Sequence, residues 1–70
     1  MNKTDAAKYL KETLYQELDR YKITRDSYLL GRVSGLQTAL CFLLSGKEFE
    51  KIENDVKAVF ALPKEQREAI

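Results

Sequence analysis

The chain holds one cysteine, Cys41, and no histidine. Histidine is the commonest general base and the pivot of nucleophile triads, so its absence removes those arrangements. The usual zinc and haem ligand sets go with it. Cys41 stands in the run ALCFLL, where no basic neighbour stabilises a thiolate, and it reads as a buried, inert thiol. The carboxylates are interleaved with lysines on helix faces and read as solvated charge. The segment GRVSG, residues 31–35, lies inside a helical pattern and is not followed by the Gly-Lys-Ser/Thr of a phosphate loop. The expectation is a chain that is not an enzyme, with no catalytic residue, no cofactor and no metal.

What remains is binding chemistry, and two sets of residues could supply it. The first is basic. Arg20, Lys22, Arg25 and Arg32 gather around one turn, and residues 1–25 carry six positive against four negative charges. LGRVSGLQTAL faintly resembles the turn and recognition helix of a helix-turn-helix, but a recognition helix needs an exposed polar face and this segment becomes apolar all round. A net charge of +1 also argues against a general binder of nucleic acid or anionic membrane. The basic set therefore reads first as a charged rim around a protein interface, and second as a phosphate-facing turn.

The second set lies in Ser27 to Gly46, where Arg32 is the only charge. At 100° per residue this stretch separates into two faces. Leu29, Val33, Leu36, Leu40 and Leu43 are spaced 4, 3, 4, 3 and form a coiled-coil-like seam suited to a core. Tyr28, Gly31, Gly35, Ala39 and Phe42 fall on the other side, a groove of small residues with bulky ends. Glycine inside a helix costs about 1 kcal/mol relative to alanine, which makes a close backbone approach the natural use of this face. The groove is expected to meet a second copy of the chain or a target. The alternative is that a third helix of the same chain fills it. A transmembrane reading is opposed by Arg32, Ser34, Gln37 and Thr38 within the stretch and by the lack of flanking aromatic belts.

These sets need helices to position them. Ala7, Leu10, Leu14, Leu18 and Tyr21 recur at helical spacing and predict a first helix over about 4–22, capped by Asn2 or Thr4, with Tyr9 and Tyr15 on its flanks and their hydroxyls in water. Thr24 and Asp26 in KITRD argue for a break and a second helix over about 26–45, with Gly46 as its C-cap. Phe49, Ile52, Val56, Val59 and Phe60 mark one face of a third helix over about 47–62, with Glu53 and Lys57 as an ion pair one turn apart and Pro63 as its stop. Residues 63–70 form a short fourth helix or a tail. The fold class is all-α: a three-helix antiparallel hairpin or bundle in a single helical domain over residues 1–70.

A core this small is marginal without a staple, and Cys41 has no cysteine in the chain to pair with. Self-association is the remaining stabiliser, and 44% hydrophobic with 33% charged residues suits it. The expected function is a small protein-binding module, homodimeric through the central helix, acting as a regulator or inhibitor. In size it resembles the small accessory proteins of phages and plasmids. The alternatives are a dimeric nucleic-acid-binding regulator that uses the basic turn, and a structural subunit of a larger assembly. MNKTDAAKYLKE has no signal-peptide pattern and no glycine after Met1, and a lone cysteine suits a reducing compartment, so the expected location is the cytoplasm and not a membrane.

Overall fold

In the computed structural model, which describes residues 2–62, three helices follow one another: α1 (Lys3–Thr24), α2 (Ser27–Leu43) and α3 (Gly46–Phe60). The all-α, three-helix expectation holds, and the boundaries lie within a few residues of those read from the sequence. The expected fourth helix or tail and the stop at Pro63 fall outside the described residues.

Each helix begins at a polar cap. The Asn2 side chain accepts from the Asp5 backbone N–H at 2.8 Å, Asp26 from the Tyr28 N–H at 3.0 Å, and Ser45 from the Glu48 N–H at 3.3 Å. Ser45 also donates its hydroxyl proton to Glu48 Oε1, so residues 45–48 tie the start of α3 in the manner of a capping box. That motif displaces the role expected for Gly46. Helix α2 ends at Leu43 with Leu44 extended, and Gly46 becomes the first residue of α3, with no left-handed backbone at any described glycine. Among the described residues the one left-handed residue is Arg25, at φ 56°, which closes α1 by donating its N–H to the Tyr21 carbonyl at 2.9 Å.

The two-residue connection Arg25–Asp26 turns α2 back along α1, and this hairpin makes the larger helix–helix contact. Leu14, Leu18 and Tyr21 of α1 meet Leu29, Val33 and Leu40 of α2 in the core, and Ile52, Val56 and Val59 of α3 close it. The leucine seam of α2 is thus the core face, with Leu36 and Leu43 half-buried at its edge. Helix α3 runs in the direction of α1. Its Asp55 accepts from the Tyr15 hydroxyl, and its Phe60 packs edge-on against Tyr21 with ring centroids 5.4 Å apart. The molecule measures 41 × 22 × 17 Å.

Three local expectations are corrected. The Tyr15 hydroxyl is not left to water alone but donates to Asp55, because α3 passes α1 at that height. Asp55, drawn toward Tyr15, also pairs with Lys51 at 3.1 Å, and this is the i,i+4 ion pair seen on α3, in place of the expected Glu53–Lys57. Cys41 is exposed. It follows Leu40 by 100° around the helix, which carries it off the core face and beside Phe42.

Candidate functional site

A helix with a core on one side must show its other side to something. For α2 that side is Tyr28, Gly31, Gly35, Ala39 and Phe42, and it is open. Tyr28 is 66% exposed and Phe42 78%, the two most exposed of the large hydrophobic side chains. A methyl group built on Gly31 or Gly35 would meet nothing within 4 Å. Ala39 is half-buried. The expectation that α3 could fill the groove is therefore not met. Helix α3 packs beyond it, where Phe49 and Glu53 border Ser34, Gln37, Thr38, Cys41 and Phe42. The physical reason is the α3 pattern itself: Ile52, Val56 and Val59 need the shared core, which lies on the seam side of α2.

The sequence places Tyr28 in the groove and Arg32 on the rim; the structure brings them together. The Arg32 guanidinium lies over the Tyr28 ring, 5.9 Å from its centroid, and Nη1 donates to the Tyr28 hydroxyl at 3.5 Å. On its other side Arg32 Nε donates to Glu17 Oε1 of α1 at 3.1 Å, and Nη2 lies 3.1 Å from the same oxygen. The Tyr28 hydroxyl first, and then the Glu17 charge, raise the Arg32 pKa above its ordinary value. Arg32 therefore stays charged at any working pH, held between an aromatic ring and a carboxylate.

Glu17 is the residue that pattern reading missed. It is 6% exposed and sits with the core residues of α1. Its Oε1 is met by Arg32; its Oε2 accepts no hydrogen bond and has Arg20 Nη1 at 3.9 Å. Glu17, Arg20, Asp26, Tyr28 and Arg32 line a cleft of about 320 Å³ at this end of the hairpin. The signal was present in the spacing. Position 17 lies three after Leu14 and four before Tyr21, on the same helix face as both, and Arg32 is the only charge in the facing helix.

The basic rim proves to be largely engaged within the chain. Arg20 and Arg32 flank Glu17, and Lys22 pairs with Asp19 at 3.5 Å. Arg25 lies over the Tyr21 ring, 5.3 Å from its centroid, and donates to the Leu62 carbonyl, which ties the α1–α2 corner to the end of α3. A phosphate-binding surface needs cations whose charge is presented outward. Here Arg25 and Arg32 are turned onto partners within the chain, while Arg20 and Lys22 stay exposed on the rim beside the uncharged α2 face.

Among the described residues no helix is long and apolar enough to cross a membrane. The chain matches no model of a known family, no curated protein and no solved structure.

Proposed function

We propose that the chain is a non-enzymatic protein-binding module, homodimeric through α2, which acts as a regulator or inhibitor by helix-mediated contact. One observation supports this above the others: a helix face with exposed aromatics at both ends and open glycines between them, on a molecule whose core is satisfied without it. An apolar patch left in water costs solubility, and such patches mark interaction sites. Aromatic side chains are the usual anchors of interfaces, because they bury much area for little lost freedom. The rim of Arg20, Lys22, Arg25 and Arg32 orients the partner, with Arg32 already fixed by Glu17.

The test is Gly35→Leu, followed by sedimentation equilibrium and circular dichroism. The added side chain has open space around it in the single chain, so the helical content is expected to stay unchanged. In an interface it fills the groove, and association is expected to be lost. Unchanged association would place the contact elsewhere. A salt titration of any partner complex separates this reading from a phosphate-facing one, since counterion release makes nucleic-acid binding weaken steeply with salt and an apolar interface does not.

A further inference from the structure

We infer that α3 is a hinged lid. It swings off the α1–α2 hairpin as one unit about residues 44–45, the hairpin stays paired, and the Tyr15–Asp55 hydrogen bond is the latch.

The joint permits this motion. Leu44 and Ser45 both have extended backbone, at ψ 158° and 162°. The last turn of α2 is closed by the Leu44 N–H on the Leu40 carbonyl, and the first turn of α3 by the Phe49 N–H on the Ser45 carbonyl. Among the described residues no backbone hydrogen bond crosses from Leu44 or before to Ser45 or beyond. Rotation at the joint therefore breaks no helical hydrogen bond. The groups that define α3 travel with it: Ser45 and Glu48 hold each other, and Lys51 pairs with Asp55.

The hairpin carries its own ties. It makes the larger helix–helix contact, the Arg25 N–H closes its corner on the Tyr21 carbonyl, and Arg32 of α2 holds the buried Glu17 of α1. None of these three involves α3. Helix α3 is fastened by other means. Ile52, Val56 and Val59 enter the shared core, and Phe60 packs edge-on to Tyr21. The Arg25 side chain donates to the Leu62 carbonyl beyond the end of α3, and Tyr15, near the middle of α1, donates to Asp55, near the middle of α3. Units with less contact to the rest of a fold open at lower free energy than the whole. Swung out, α3 withdraws its three residues from the core and bares the seam side of the hairpin, an apolar surface that the closed chain conceals. The latch thus sets whether that surface can be reached.

Native-state hydrogen exchange of the full chain, at one chain concentration and through low urea, tests the lid. The Ile52 and Val56 amides are expected to lose protection together, at least about tenfold sooner than those of Leu14, Val33 and Leu40. Their exchange is expected to rise with urea, because opening exposes surface and local fluctuation does not. Two variants separate lid opening from global unfolding. Arg32→Ala weakens a tie that the open form keeps, so it is expected to speed the hairpin amides and leave the α3 amides unchanged. Tyr15→Phe removes a tie that both events break, so it is expected to speed both sets by one factor, about two- to tenfold. Equal protection of all three helices in the unmodified chain overturns the lid. So does an Arg32→Ala chain in which the α3 amides speed up as much as those of the hairpin. Unchanged α3 exchange in Tyr15→Phe overturns the latch.

Discussion

A carboxylate taken out of water must be met by a cation or by donors, and Glu17 is met mainly by Arg32. The two arginines beside it are not equivalent. Arg32 makes the short contact, a hydrogen bond from Nε with Nη2 also 3.1 Å from the same oxygen, while Arg20 is 3.9 Å away on an exposed side chain. Arg32→Ala leaves a buried carboxylate poorly satisfied and is expected to lower stability more than loss of Arg20 does. Arg20→Ala removes a surface ion pair and is expected to cost under about 1 kcal/mol. Urea titrations of the two variants check the order; equal losses would mean that Glu17 is satisfied by water. The Tyr15–Asp55 bond gives a second residue-scale outcome, in pH. Burial, and then the Asp55 carboxylate, push the Tyr15 phenol up to about 12. A group whose folded pKa is raised contributes stability that is present below its unfolded value, about 10 for tyrosine, and is lost as pH rises toward 12. Asp55 is shifted the other way: the Tyr15 hydroxyl first, then Lys51, hold it below the ordinary aspartate value, so its share is lost as pH falls through the acid range. Absorbance titration at 295 nm should show a phenol near 12 that disappears in Tyr15→Phe. The Tyr15–Asp55 contact left no mark in the sequence, and for Glu17 the spacing marked the core face and the lone charge of the facing helix without showing that the two meet. Both join residues 15 or more apart in the chain, and helical periodicity reports which face a residue is on, not what crosses it.

Helix limits were more legible, because they are set by local chemistry. Asn2 and Asp26 read as caps and serve as caps. Asp26→Ala is expected to cost about 1 kcal/mol, seen as a lower melting temperature, because the first turn of α2 loses its acceptor. The end of α2 was misread for an equally local reason. Gly46 had the composition of a C-cap, but Ser45 and Glu48 form the stronger competing signal, the start of the next helix. The seam of α2 follows directly from 4, 3, 4, 3 spacing, and its centre, Val33 and Leu40, is fully enclosed. Leu40→Ala is expected to cost about 2–5 kcal/mol by chemical denaturation, through lost burial and the cavity left behind. Cys41 shows the limit of reading by neighbourhood. An apolar run suggests a buried thiol, yet one step of 100° turns it outward.

At the scale of the whole molecule, the three helices of the described residues enclose one core on the seam side of α2 and leave the groove side bare among those residues. The sequence showed that α2 has two usable faces but not which of them the third helix takes. That choice depends on the connection at residues 44–45 and on where Ile52, Val56 and Val59 can reach the core. The α3 choice is what turns the groove from packing surface into candidate interface. Sedimentation equilibrium of the unmodified chain over a concentration series tests this most directly. Association through α2 predicts a reversible approach to twice the 8.1 kDa chain mass as concentration rises through the micromolar range. A single species at the chain mass across that range would contradict it.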